Sequence, residues 1–427
     1  MTVQALNVES SVPLSSLADV VLGKMLQPHS QRDGDVEVPY LRSASIQDSE
    51  LDLGGMKRMW ASPFEASDLD LRAGDVVVSE GGSVGRAVVL REDLPGVIFQ
   101  NSVNRLRPRH GADGRFLTYV LSSIRHSGYF SVYCDAVSIA HLTAEKLGRL
   151  RIPAADSDAQ QRIADYLDRE TAKIDTLIEK QRRLLTLLVE RRQAVRKHVA
   201  LRGVDSDART ASAPDEWAGQ LPIHWRFVPL LAVSRLGSGH TPSKSRPELW
   251  VDAKIPWISL RDVGAMRGIT FLSETHTLIS ERGLASSSAR ILPAGTVVLS
   301  RDATIGRTAI MGRDMATSQH FATWTCGPEI LPEYLHLVLS DAMQDHLESL
   351  TDGSTLRTIG MGDICALRVP LPPVDEQREI VIFARGVTAK IDTLIAKAER
   401  FIELAQERRA ALITAAVTGQ IEIPTED

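Results

Sequence analysis

The chain has 427 residues, 43% of them hydrophobic and 24% charged, an ordinary globular composition spread over more residues than one compact core takes. No run of 18 apolar residues is present, which excludes a membrane-spanning helix, and the start MTVQALNVESSVPL lacks the basic flank and apolar stretch of a signal peptide. The net charge of −5 argues against a nucleic-acid partner unless basic groups gather locally. In chain order, residues 1–155 hold short β-branched runs such as Val76-Val77-Val78, punctuated by Gly, Pro, Asp and Ser, which is strand-and-turn chemistry. Residues 156–203 read as one long helix, in which Ile163, Leu167, Ile174, Leu177, Leu184, Leu188 and Val195 fall on a 4-3-4-3 spacing, the pattern of a coiled-coil seam. A polar linker follows at 204–220. Residues 221–372 return to strand-and-turn chemistry, with Thr296-Val297-Val298-Leu299 as one run. Residues 373–427 give a second long helix with a short tail, its apolar positions Ile380, Ala384, Val387, Ile391, Leu394, Ala398, Phe401, Ala405 and Leu412. Asp158 and Asp375, just after proline-bearing entries, are the expected N-caps.

The halves are copies. TAKIDTLI occupies 171–178 and again 388–395, and identical octamers do not recur by chance. The same offset aligns LRIPAADSDAQQ (150–161) with LRVPLPPVDEQR (367–378), and with small gaps LRAGDVVVSEGGSVGRAVVL (71–90) with LPAGTVVLSRDATIGRTAIM (292–311). A lone helix with so wide an apolar stripe is unstable in water, so the two equivalent helices are each other's partner. The expected fold is α+β: two repeated mixed α/β modules separated by two long helices that pair as an antiparallel coiled coil, with pseudo-two-fold symmetry.

Catalytic motifs are missing. No glycine-rich loop ends in Gly-Lys-Ser/Thr, no GxGxxG follows a strand, no HExxH occurs, and no Asn-Pro-Pro-aromatic tetrad offers a site for amino methylation. Cys134, Cys326 and Cys365 lie far apart, without metal-type spacing, and read as buried thiols of a reducing compartment, with the cytoplasm as the natural location. Basic groups do gather, as Arg105, Arg107 and Arg109, and as Lys180, Arg182, Arg183, Arg191, Arg192, Arg196 and Lys197 along the first helix.

Polar residues that differ between the copies are candidates for binding. Arg86 and Arg307, at SVGR and TIGR turns, suit a phosphate or a neighbouring carboxylate, while Gly85 and Gly306 read as turn residues. Glu80 and Arg301 place opposite charges at equivalent positions. Gln100, Asn101 and Asn104 stand opposite Ser318, Gln319 and His320 across the repeat; amides contact adenine edges and arginine contacts guanine, and ordinary loop hydrogen bonding is the alternative. The stretch 237–245, with Thr241, Ser243 and Lys244, suits a phosphate-binding loop and a solvated turn equally.

These segments together resemble the specificity subunit of a type I restriction–modification enzyme. GSGHTPSKSRPELW followed by IPWISLRD (237–262, with Arg261), GTVVLSRDATIGR (with Thr304), ATSQHFATW, and GSTLRTIGMGDICALRVPLPPVDEQREI (353–380, with Arg357) resemble a target recognition domain. DRETAKIDTLIEKQRRLL and ERRAALITAAVTGQI resemble its conserved helical regions, and LPIHWRFVPL resembles the join to the second domain. The first module departs from the pattern, with RSASIQDSELDL and SEGGSVGR in place of the familiar wording. The resemblance implies a non-catalytic reader of double-stranded DNA, each module reading one half of a split, asymmetric target. It implies that two modification subunits using S-adenosylmethionine dock on the chain, and it leaves open whether motor-nuclease subunits using ATP and Mg2+ join them. A coiled-coil adaptor that binds only proteins is the alternative.

Overall fold

The structure is a computed structural model that describes residues 11–48, 50–109, 111–134, 141–352 and 357–423; the expectations drawn from the first ten residues and from Gly353 to Leu356 lie outside them. The chain divides into two units, residues up to 182 with those from 399, and residues 183–398. Each unit holds one module and a stretch of both long helices. No helix among the described residues is long and apolar enough to cross a membrane.

In the first unit a four-stranded antiparallel sheet runs in the order Ala18–Leu22, Val103–Pro108, Val76–Ser79, Ala87–Val89. A three-stranded sheet sets Val36–Leu41 between Lys57–Ala61, antiparallel, and Ile98–Phe99, parallel. The second unit repeats both and adds Phe271–Leu272 at one edge: its larger sheet runs Ser234–Ser238, Phe321–Cys326, Val297–Ser300, Thr308–Met311, Phe271–Leu272, and its smaller one sets Ile255–Ile258 between Thr277–Ile279, antiparallel, and Ala316–Thr317, parallel. Entry and exit strands pair in each module, Ser11–Pro13 with Arg151–Pro153 and Arg226–Pro229 with Arg368–Leu371.

The valine runs are continuous because both faces of these strands are covered. Val76 and Val78 pack with the Gly114–His126 helix in one apolar cluster, whereas Val77 points the other way into the cluster of the smaller sheet. In the second unit Val297 and Leu299 share one cluster while Val298 joins another. This is the two-residue alternation of a strand buried on both sides. Gly85 and Gly306 take φ of 73° and 82° at the hairpin turns, a conformation that glycine adopts without penalty.

The long helices are Ser157–Arg202 and Val374–Val417. The first is capped by Asp156, whose Oδ1 accepts the Ala159 amide at 2.7 Å; Asp158 and Asp375 lie in the first turns and are not the caps. Within each unit the helices run antiparallel. In the first unit Arg409 Nε donates to Asp175 at 2.8 Å, and in the second Arg192 donates to Asp392 at 2.6 Å. Asp175 and Asp392, like Arg192 and Arg409, are repeat equivalents, so each ion pair is the image of the other.

The heptad period holds but its phase is corrected. From Ala164 to Leu188 the buried positions of the first helix are Ala164, Leu167, Thr171, Ile178 and Leu188, with Ile174, Gln181 and Leu185 half-buried on the same seam. Leu177 and Leu184 stand 47% and 42% exposed, as do their counterparts Leu394 at 50% and Phe401 at 40%. The helix is apolar on two adjacent faces, and the spacing alone fits either row.

A buried glutamine fastens each module to the start of its helix. Gln160 Oε1 accepts the Asp113 amide at 3.0 Å and its Nε2 donates to Ala155 O at 2.8 Å. Gln377 Oε1 accepts the Leu331 amide at 2.8 Å, and its Nε2 donates to Glu329 O and Pro372 O, both at 2.9 Å. Arg115 reaches Asp168 at 3.1 Å in the first unit, while the equivalent pair of the second, Glu333 and Arg385, carries the charges reversed at 3.5 Å.

Much of the stretch expected as a linker is an ordered hairpin, Thr210–Ser212 against Gln220–Pro222, because Trp217 stacks on His346 at 5.8 Å and Ala218 is buried. Of the cysteines only Cys134 is buried; Cys326 is half-buried and Cys365 is exposed on the short Met361–Ala366 helix.

Candidate nucleic-acid interface

In the second module the parallel strands Ile255–Ile258 and Ala316–Thr317 end at the same edge. Ser259-Leu260-Arg261 and Ser318-Gln319-His320 therefore leave it side by side. The strand Ser234–Ser238 delivers a third segment there, with the His240 amide donating to Thr317 O at 3.0 Å. Gly239 is dictated by that approach, since a Cβ would sit 1.7 Å from Thr317 O; scaffold packing, not a phosphate, requires this glycine. Four residues singled out from the sequence, Thr241, Lys244, Arg261 and His320, thereby line one cavity of about 410 Å³. Trp250 and Trp257 wall it, edge to face at 5.5 Å, and their indole N–H groups donate to Ser243 O and His240 O at 3.1 and 3.2 Å.

Buried polar bonds set these side chains in place. Asp262, 2% exposed, accepts the Ser259 amide and hydroxyl on Oδ2 at 2.8 and 2.9 Å and the His276 amide on Oδ1 at 2.6 Å, which fixes the turn presenting Arg261. Thr241 donates to Gln319 Oε1 at 2.7 Å. His320 Nδ1 lies 2.6 Å from Asp302 Oδ2, and the Thr358 hydroxyl bonds the other oxygen of that carboxylate. Ser318 lines the cavity too, and its buried hydroxyl has no hydrogen-bond partner among the described residues. Its small, neutral side chain gave the sequence reading no reason to prefer it to His320.

The first module builds the same edge with other residues. Gln100, Asn101 and Ser102 leave Ile98–Phe99 beside Arg42–Ser45. Ser102 Oγ accepts the Ser43 amide at 3.1 Å and donates to Gln100 Oε1 at 3.3 Å, and Ser43 Oγ donates to Gly81 O at 2.7 Å. Lys24, half-buried, donates to Glu65 at 2.6 Å, which with the Ser62 amide holds the Glu65 carboxyl down at about 2. Burial pushes the Glu80 carboxyl up. Serines, amides, Arg42 and Lys24 stand at this edge where the second module has two tryptophans, Arg261 and His320.

Several expected contacts belong to the scaffold instead. Asn104 is fully buried and donates to Leu142 O at 2.9 Å. Arg301 donates to the equivalent carbonyl, Ile359 O, at 2.9 Å and to Gln319 O at 3.2 Å. Both tie the returning chain to the sheet, one by an amide and one by a guanidinium. Arg86 is spent on Ile46 O at 3.1 Å and Asp48 at 3.2 Å. Each arginine of the basic run is paired with a carboxylate: Arg105 and Arg107 bond Asp70, Arg107 also bonds Asp75, and Arg109 bonds Asp19. On the first helix Arg196 takes Asp341 at 2.7 and 2.9 Å, and Lys197 takes Asp345 at 2.9 Å. Arg357 pairs with Glu348 at 2.6 Å. Ser243 is exposed and bonded to Ser245 at 2.8 Å, Thr304 is exposed and Arg307 half-buried, and none of the three lines the cavity.

The sequence model described as the type I restriction modification DNA specificity domain matches residues 10–186 and again 222–400. This chain belongs to that family. Each match takes one copy of the repeat, module and helix together. The MjaIX specificity subunit of Methanocaldococcus jannaschii is 29% identical over 163 residues, 38% of this chain and 37% of the relative. The EcoR124I/EcoR124II specificity subunit of Escherichia coli is 24% identical over 40% of this chain and 41% of its own length. The MjaX specificity subunit of M. jannaschii, 20% identical, is matched over 92% of this chain and 90% of its own. The chain thus aligns with about two fifths of the first two relatives and nearly all of the third. A structure described under complex assembly and conformational transition of the type I R-M system has a TM-score of 0.69 at 17% identity, covering 96% of this chain and 98% of that one. The HsdS subunit of Thermoanaerobacter tengcongensis scores 0.55 at 18% identity, covering 99% and 100%. The specificity-family fold extends over both modules and both helices.

Proposed function

We propose that this chain is the non-catalytic DNA-recognition subunit of a type I restriction–modification complex, each module reading one half of an asymmetric, bipartite target. The observation that carries the reading is the shared edge: one scaffold, built twice, presents different side chains at the same place. The cavity of Thr241, Lys244, Arg261 and His320 faces one half-site, and the Lys24, Gln100, Asn101 and Ser102 edge faces the other. Arginine, lysine and hydroxyl groups in such a recess suit base edges and phosphates.

The helices supply docking faces for modification subunits. Leu184 and Leu187 stand 42% and 51% exposed on the second unit's stretch of the first helix, and their equivalents Phe401 and Leu404 stand 40% and 47% exposed on the first unit's stretch of the second. Two equivalent strips suit two copies of one partner, and exposed apolar rows of this kind mark protein contacts. In this reading S-adenosylmethionine, and ATP with Mg2+ where motor-nuclease subunits are present, act on the partners. Selection of bound duplexes from a random library by the chain with its modification subunits tests it. Two short conserved blocks separated by a fixed unconserved spacer are expected. Uniform recovery of all sequences would leave a protein-binding adaptor as the better reading.

A further inference from the structure

We infer that His320, locked by Asp302 and assisted by Ser318, reads an adenine in the second half-site. The inference rests on the DNA-reading role proposed above and gives that role a base and an atom. His320 Nδ1 and Asp302 Oδ2 are 2.6 Å apart, with the carboxylate 13% and the imidazole 33% exposed. The Thr358 hydroxyl on Asp302 Oδ1 holds the carboxylate from its other side. An ionised carboxylate only accepts, so the ring nitrogen that meets it carries the proton, and a singly protonated ring then keeps its lone pair on Nε2. No described residue bonds Nε2, and the ring lines the cavity. Ser318 lines the same cavity and is 1% exposed, and its buried Oγ has no partner among the described residues, although buried hydroxyls are ordinarily bonded.

An acceptor and a free hydroxyl donor on residues of one cavity fit one base edge. In the major groove adenine offers the N6 amino group as donor and N7 as acceptor, whereas guanine offers two acceptors, O6 and N7. Nε2 takes the amino proton and Ser318 donates to N7. Guanine would set O6 against the Nε2 lone pair, and cytosine has no N7 for Ser318. The dyad is peculiar to the second module, since Gly81 stands in the place of Asp302 and Ser102, already bonded to the Ser43 amide, in the place of His320. Its effect is therefore confined to one half-site.

The test uses the full chain with its modification subunits and duplexes carrying the selected target. Each adenine is replaced in turn by purine, which lacks the amino group, and by 7-deazaadenine, which lacks N7. The wild-type complex should lose about 10- to 100-fold in affinity with either analogue at one and the same position of the second half-site, the range of a bidentate base contact. His320→Ala should become indifferent to the purine analogue there, and Ser318→Ala to the 7-deaza analogue. His320→Gln should recover part of the preference, because its amide donates to Asp302 while its carbonyl accepts. Asp302→Ala, which frees the ring to carry its proton on Nε2, should narrow the preference for adenine over guanine at that position. Retained discrimination at the other positions of the second half-site shows that each variant's second module is folded. A His320→Ala complex that keeps the wild-type analogue pattern overturns the inference while DNA reading stands. A wild-type complex with no second half-site preference overturns both.

Discussion

Replacing Gln377 by leucine, an apolar side chain one atom shorter, removes three buried hydrogen bonds, to the Leu331 amide and to the Glu329 and Pro372 carbonyls. Gln377 is 0% exposed, so water cannot take its place. At roughly 1 kcal/mol net for each bond the cost is about 3 kcal/mol. For a unit of this size that lowers the melting temperature by about 6–12 °C. Gln160, its repeat equivalent, makes two such bonds, so Gln160→Leu should cost about 2 kcal/mol by the same reckoning. Trp217, Trp225, Trp250, Trp257 and Trp324 belong to the second unit and Trp60 alone to the first, so tryptophan fluorescence follows the second unit through thermal or denaturant unfolding. The fluorescence transition should shift strongly for Gln377→Leu and little for Gln160→Leu, whose loss appears in circular dichroism. A Gln377→Leu transition within a degree of wild type, or a larger loss from Gln160→Leu, would refute the view that these glutamines fasten the modules to the helices.

Two further predictions concern the second unit. Arg196→Ala strands the Asp341 carboxylate, which is only 10% exposed, and should cost about 3 kcal/mol; adding Asp341→Ala should recover more than half of it, whereas simple additivity in denaturant unfolding would show the pair uncoupled. His336 is buried and unpaired through Nε2; burial, with Arg196 adding to it, pushes its pKa from 6.5 down to about 4. The unfolded chain therefore takes up the proton first as pH falls, stability drops between pH 6.5 and 4, and the drop amounts to about 3 kcal/mol. His336→Leu should flatten the stability profile across that window, and an equally steep profile in the variant would assign the pH dependence to other groups.

The repeated octamer and its flanks made the two-module, two-helix plan legible, because duplicated sequence carries duplicated packing. The hairpin valines were legible for the same reason that they are buried: strands covered on both faces need continuous apolar runs. The helix phase was not, since Leu177 and Ile178, like Leu184 and Leu185, offer two adjacent apolar rows at one spacing, and only the partner helix selects between them. Arg105 and Arg107 looked like a basic patch because Asp70 and Asp75, which neutralise them, lie about 30 residues upstream. Asn104 and Arg301 looked like readers because a polar side chain that ties two loops together has the same composition as one that meets a ligand. The cavity itself combines segments near 241, 261 and 320, which only the parallel pairing of Ile258 with Thr317 brings together.

If the two copies read independently, exchange of one module changes one half-site alone. Residues 221–372 are replaced by the matching module of a relative with a different target, and methylated bases are mapped genome-wide with the modification subunits present. The expected outcome is a bipartite motif whose second half-site changes while the first half-site is retained. Simultaneous change of both halves, or an unaltered motif, would contradict it.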